Sequence, residues 1–189
     1  MTGAHPAGAA DGSPPRVLGM GNLLYGDEGV GVLAARALAA NYAFTPEVAV
    51  LDGGVLGFGV MDVFDRPGPI VVLDGLAADA PAGSIYRLPH EQLLCLAPEV
   101  QLAAHEVEPV QQLRIAAALG TAPPTVLIAV TVADTSMRLG LSPAVAGVFD
   151  RFVDAAVDEV CRWGITARRV AEVSLGEILT HLTVTDRNR

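Results

Sequence analysis

The feature that most constrains this chain is the alternation of short apolar runs with longer stretches of helical periodicity. Arg16 to Met20, Val48 to Leu51, Ile70 to Leu73 and Val126 to Val130 read as strands, the third and fourth as buried ones. Between them, Asp27 to Ala40 places Val30, Leu33, Ala34, Ala37 and Leu38 on one helical face. This alternation is the pattern of βα units assembling into a mainly parallel sheet covered on both faces. Phe58 to Phe64 reads as a short helix stopped by Arg66-Pro67-Gly68-Pro69, and Ser84 to Leu88 as an edge strand. A further helix is expected from Pro109 to about Leu119, stopped by Gly120. The last clear helix starts near Ser142-Pro143 and carries Val145, Phe149, Phe152, Ala156, Val160 and Trp163 at helical spacing, until Gly164 ends it.

The 189 residues suffice for one core, because chains of about 150 residues already bury roughly two-thirds of their unfolded surface. The expected organisation is a flexible N-terminal tail over 1–15, a single α/β domain over 16–166 and a C-terminal extension over 167–189. A net charge of −9 argues against nucleic acid and anionic lipid, both of which are bound through Lys and Arg. No run approaches the roughly 20 apolar residues of a membrane helix, and no signal-peptide pattern opens the chain. Two cysteines, Cys95 and Cys161, lie in no metal-spacing motif, so neither a disulfide framework nor a zinc site is expected. The default is a cytoplasmic monomer.

The glycine-rich turn Gly19-Met20-Gly21-Asn22 follows the first strand, and Asp27-Glu28-Gly29 opens the next helix. Open α/β sheets bind ligands at this carboxyl edge. A dinucleotide fingerprint would need glycine where Leu24 stands, and it would not put two acids where pyrophosphate belongs. Asp27 and Glu28 have an ordinary role in capping a helix and favouring its positive end. Asp74 differs, because it follows the buried run Ile70-Val71-Val72-Leu73 and projects into the crevice that Glu28 should also face. Two acids from separate elements at one strand-end crevice indicate a cation or proton-transfer site. His105, just ahead of the helix beginning near Pro109, can face the same edge, with His90 as its rival. Imidazole with two carboxylates suits nickel, iron, manganese or zinc, and three ligands leave positions open for a metal arriving on a substrate.

The series Gly19-Met20-Gly21-Asn22-Leu23-Leu24-Tyr25-Gly26-Asp27-Glu28-Gly29-Val30-Gly31, then Leu51-Asp52-Gly53-Gly54, then Val72-Leu73-Asp74, then His105, resembles the hydrogenase maturation endopeptidases. The resemblance extends over most of residues 16 to 163. It implies a three-layer α/β/α sandwich with a twisted, mainly parallel sheet of about five strands. It also implies a nickel-recognising triad that falls by motif position on Glu28, Asp74 and His105. Such enzymes cut a short C-terminal extension from the [NiFe]-hydrogenase large subunit precursor after nickel insertion. The nickel is then carried by the substrate, and no tightly bound cofactor is expected. Asp52, beside two glycines, is a secondary candidate for shaping the site, with a turn role as the alternative. The chain departs from the family pattern in Ala104 before the histidine, in Val107-Glu108-Pro109 after it and in the loop Ala133 to Met137, which bears on substrate choice.

No Gly-x-Ser-x-Gly elbow is present and Cys95 lies in an apolar segment, so a serine or thiol nucleophile is not expected. Two other readings compete. One is a non-catalytic chaperone that senses nickel in a hydrogenase precursor; the other is a nucleotide-dependent α/β enzyme using the glycine loop and Asp52.

Overall fold

A computed structural model describes residues 13–54, 60–95 and 109–185. Most of the expected N-terminal tail, the segment 96–108 with His105, and the last four residues lie outside these. The chain runs β1 (Arg16–Gly19), a 3-10 turn (Gly26–Gly29), α1 (Val30–Asn41), β2 (Tyr42–Thr45), β3 (Ala49–Asp52), α2 (Val60–Phe64) and β4 (Ile70–Leu76). It continues with β5 (Ile85–Pro89), α3 (His90–Cys95), α4 (Pro109–Ala118), β6 (Thr125–Thr131), α5 (Pro143–Ala146), α6 (Phe149–Arg162), β7 (Thr166–Arg169) and α7 (Leu175–Thr185).

Five strands form the central sheet in the order β3-β1-β4-β6-β5, parallel except for the antiparallel edge strand β5. β4 and β6 are buried along their whole length, which is why both read as unbroken apolar runs. Period-two alternation sends Val71, Leu73, Ile128 and Val130 to one face, where they pack with Val30, Leu33, Leu38, Phe152 and Val160 of α1 and α6. Ile70, Val72, Leu76 and Leu127 face the other way, onto Phe64, Leu93 and Leu113 of α2, α3 and α4. The expected three layers are therefore present, each core half built from side chains worth about 1.5–3 kcal/mol apiece when fully buried. Among the described residues, no helix is long and apolar enough to cross a membrane.

The topology also fixes where a ligand would sit. From β1 the chain crosses through α1 on one face to β3, then returns through α2 on the other face to β4 on the far side of β1. The strand order thus reverses between β1 and β4, and open α/β sheets form their binding crevice at the carboxyl ends of such a pair. α1 lies unusually close to that exit. A Cβ at Gly31 would overlap the carbonyl oxygens of Leu73 and Met20, so only glycine lets the helix rest directly on the strand ends.

Three sequence expectations are corrected, and one strand is new. The third strand does not end at Asp74 but continues to Leu76, because Asp74, Gly75 and Leu76 pair with Ala129, Val130 and Thr131 of β6. The first helix opens as a 3-10 turn and becomes α-helical only at Val30. The long last helix is two, α5 and α6, separated at Gly147-Val148 where the Val148 N–H bonds back three residues to Val145. The strand β2 was not foreseen; it pairs antiparallel with β7 in a separate two-stranded sheet. The C-terminal extension is folded onto the domain through β7 and α7: Ile178 joins the core, and Asn41 of α1 bonds both the Val173 N–H and its carbonyl.

Candidate active site

Glu28 and Asp74 reach the carboxyl edge by different routes. Asp74 is fully buried, at 0 % exposure, and its Oδ1 accepts the Gly75 N–H at 2.7 Å. In register it stands one residue past Gly19 and Leu73, the last pair between β1 and β4, so it occupies the level at which β1 has ended and β4 continues. Its parity in the strand puts it on the same face as Val72 and Leu76, the side of α3 and α4. Glu28, at 8 % exposure, sits in the 3-10 turn above the end of β1. The two acids therefore flank the reversal point from the β1 exit and from β4 itself.

The glycine loop explains how Glu28 is held there. Gly21 has φ of 132°, and a Cβ on it would overlap the Glu28 carbonyl oxygen, so the loop folds back against the turn at backbone contact distance. The Tyr25 carbonyl accepts the Glu28 N–H at 3.1 Å. In a dinucleotide site the corresponding glycines clear space for a pyrophosphate; here that space is filled by the chain's own carbonyl.

Asp27 and Glu28, adjacent in sequence, do different things. Asp27 is 0 % exposed and makes no cap to its own helix. Its Oδ2 accepts the N–H groups of Ala133 and Asp134 at 2.8 and 3.0 Å and the Ser142 hydroxyl at 2.8 Å, while Oδ1 accepts the Ser142 N–H at 2.6 Å. Main-chain bonds extend this tie: Gly26 N–H to Arg138, Asp27 N–H to Asp134 and Arg138 N–H to Leu24, each at 2.9 Å. Sequence reading gave Asp27 only a helix-start role. The available signal was Ser142-Pro143, a helix-opening pair whose hydroxyl has a partner beyond its own helix, at Asp27.

Asp52, at the end of β3, is engaged within the fold. Its Oδ2 takes the Arg36 guanidinium of α1 at 2.7–2.8 Å and its Oδ1 takes the Gly54 N–H at 3.0 Å. This is an Asx-type turn braced by a helix cation. His105 lies outside the described residues; it precedes α4, which packs on the Asp74 face. His90 is separated from the acids. It follows Pro89, which pairs with Val126 at the amino end of β6, whereas Asp74 is level with Ala129, on the order of 10 Å further along the strand direction. Among the described residues no three His, Cys, Asp or Glu side chains gather as a metal site. Cys95, at the end of α3, and Cys161 are free and exposed. A cavity of about 500 Å³ opens elsewhere, bounded by Tyr42, Asp150, Asp154 and Arg169, and neither Glu28, Asp52 nor Asp74 lines it.

Comparison with known proteins adds independent information. The HycI hydrogenase maturation protease family matches residues 32–159, a span that includes Asp52 and Asp74 and begins just after the glycine loop. The hydrogenase expression/formation protein HupD of Thiocapsa roseopersicina is 30% identical over 155 residues, covering 81% of this chain and 70% of that protein. The hydrogenase 2 maturation protease of Escherichia coli is 24% identical over 80% of this chain and 93% of its own. In three dimensions, the hydrogenase maturating endopeptidase HybD from E. coli superposes with a TM-score of 0.70 at 24% identity, over 83% of this chain and 98% of that one.

Proposed function

Because the chain belongs to the hydrogenase maturation protease family, an endopeptidase family, we propose that it removes the C-terminal extension of a nickel-loaded [NiFe]-hydrogenase large subunit precursor, with the substrate's nickel as its recognition element. The observation that carries this reading is the pair of buried carboxylates, Glu28 and Asp74, flanking the reversal point at the carboxyl edge of the sheet. Packing alone does not call for Asp74. Val72 and Leu76, its neighbours on that face of the strand, are apolar, and an apolar side chain there would fill the core without the desolvation cost of an acid.

In this reading Glu28, Asp74 and His105 contact nickel already held by the substrate's thiolates. Oxygen and imidazole donors complement a borderline metal whose softer ligands stay on the precursor. Engagement then depends on nickel insertion, and it places the scissile peptide bond in the crevice. The metal or one of the carboxylates polarises the carbonyl or activates the attacking water. Asp52 contributes by holding the Gly53-Gly54 turn and α1 together through Arg36 at the edge of this crevice. Exposed Cys95 and Cys161 have no part in the chemistry, so treating the enzyme alone with a thiol-directed reagent, removed before the precursor is added, should leave turnover unchanged.

The test is the intact mass of a large-subunit precursor, with and without nickel, after incubation with wild type, Glu28→Gln and Asp74→Asn. Nickel-dependent loss of one C-terminal peptide, abolished by either substitution, is the expected result. Cleavage of the nickel-free precursor would sink metal recognition and leave a peptidase. A stable complex whose mass never changes would replace the protease with a nickel-sensing chaperone.

A further inference from the structure

We propose that Asp27 is a positioning residue that sets the placement of Glu28 relative to Asp74, by tying the turn after β1 to the loop after β6 across the end of β4. This rests on the reading of Glu28 and Asp74 given above. In the sheet β4 lies between β1 and β6. The 3-10 turn with Glu28 leaves β1, and the loop 133–142 leaves β6, so any bond between the two spans the exit of the strand that carries Asp74. Four such bonds converge on the Asp27 carboxylate at 2.6–3.0 Å. Three are from main-chain N–H groups and one is from the Ser142 hydroxyl.

The tie is specific to a carboxylate. Donors approach both oxygens, so an amide, which offers one oxygen, must turn its NH2 toward either Ser142 N–H or the pair of N–H groups at Ala133 and Asp134. Glu28 follows Asp27 directly, and its carbonyl is already pressed on the other side by Gly21. The turn is therefore clamped from two directions: Gly21 sets how far it can sink, and Asp27 sets where it lies along the β1-to-β6 direction. The β6 end of the tie is fixed to Asp74's own strand, since Asp74 pairs with Ala129 and the Val132 N–H bonds to Leu76. Loss of the carboxylate's four bonds leaves the turn held by Gly21 and by the main-chain bonds at Gly26, Asp27 and Arg138, a looser tie than the one the side chain completes.

The experiment is steady-state cleavage of nickel-loaded precursor by wild type, Asp27→Asn, Ser142→Ala, Glu28→Asp and the double variant Asp27→Asn/Glu28→Asp. Urea midpoints are measured on each, and rates are taken well inside each variant's folded range. A displacement of about 1 Å at a reacting group costs on the order of 100-fold. Asp27→Asn is therefore expected to lower kcat by about 10- to 100-fold, with KM changed less than about threefold. Ser142→Ala removes one donor of four and should lower kcat by about two- to fivefold. Because Asp27 acts through Glu28, its loss in the Glu28→Asp background should cost far less than in wild type.

Losses that multiply in the double variant, or a folded Asp27→Asn with wild-type kcat, would overturn the proposal. If Asp27→Asn does not fold, Ser142→Ala decides: an unchanged kcat refutes the tie's role, and a lowered kcat at constant KM upholds it. Full activity in Glu28→Asp and also in Glu28→Gln would remove the premise instead, so the two failures are distinguishable.

Discussion

Replacing Gly31 by alanine separates two physical effects of opposite sign. Judged as a helix residue, Gly31 lies inside α1, where alanine is better than glycine by about 1 kcal/mol. Judged by its surroundings, the new Cβ would lie 2.7 Å from the Leu73 carbonyl carbon and closer still to the carbonyl oxygens of Leu73 and Met20. Ordinary contact begins at 3.4 Å, so α1 must lift from the sheet by roughly 0.7 Å even at the most lenient of these atoms. All three are backbone, and Leu73 O accepts the Met20 N–H at 2.8 Å, so no side chain can turn aside to make room. Overpacking of this kind costs up to about 3 kcal/mol, which after the propensity gain leaves a net loss of about 2 kcal/mol. Urea unfolding followed by the fluorescence of Trp163, the chain's one tryptophan, measures it. Gly176→Ala in α7 is the control, since its Cβ would meet nothing nearer than the Ser174 hydroxyl at 3.9 Å; there a gain of about 0.4–1 kcal/mol is expected. A Gly31→Ala protein as stable as wild type would refute the claim that close approach, rather than conformational freedom, requires glycine.

Other consequences follow from buried polar contacts and one surface turn. Arg16→Met should destabilise by about 2–3 kcal/mol in the same assay, because one guanidinium nitrogen donates to the carbonyls of Arg66, Pro67 and Gly68, all at 2.8 Å; a change below about 0.5 kcal/mol would show that water replaces it freely. Glu159, 2 % exposed on α6, receives Arg87 of β5 at 2.6 and 2.8 Å, and Glu159→Gln should cost about 1–3 kcal/mol in the same assay; a change below about 0.5 kcal/mol would show that solvent at the exposed Arg87 end replaces the pair. Asp134 is held below its ordinary pKa of 3.8, first by the Ser136 hydroxyl and N–H and then by Arg138. A depressed folded pKa means the contribution to loop order is complete above the ordinary aspartate range and is lost as pH falls through the lower folded value. The Ser136 amide resonance should therefore be flat from about pH 7 to 5 and move only below about pH 4; a midpoint above 3.8 would contradict the geometry.

What the sequence disclosed was whatever depends on near neighbours. The α1 stripe Val30, Leu33, Ala34, Ala37 and Leu38 is buried as its periodicity requires, and β4 and β6 are apolar throughout because helices cover both their faces. Asp74-Gly75 misled, since aspartate before glycine ordinarily ends a strand; here pairing with Ala129 and Val130 on β6 outweighs the turn preference. β2 and β7 were invisible for a related reason. Each has four residues, and Tyr42 meets Arg169 across 127 positions of chain, so neither strand carries a pattern that points to its partner.

The acidic pair shows most plainly where local reading stops. Asp27 and Glu28 share a turn, a charge and a place ahead of the same helix, and helix-end electrostatics treats them alike. What separates them is a loop more than 100 residues later. Ala133, Asp134 and Ser142 direct their N–H groups, and Ser142 its hydroxyl, at the first acid. Asp27 is thereby committed to holding two exits of the sheet together, and the crevice role proposed above falls to Glu28. On the proposed reading, the β6–α5 loop fixes Asp27's role as firmly as the glycine motif marks Glu28's. Changes in that loop should shift catalytic efficiency even where the Gly19-to-Gly31 motif is intact, and a chain with the motif but without donors at 133, 134 and 142 should place its second acid less accurately.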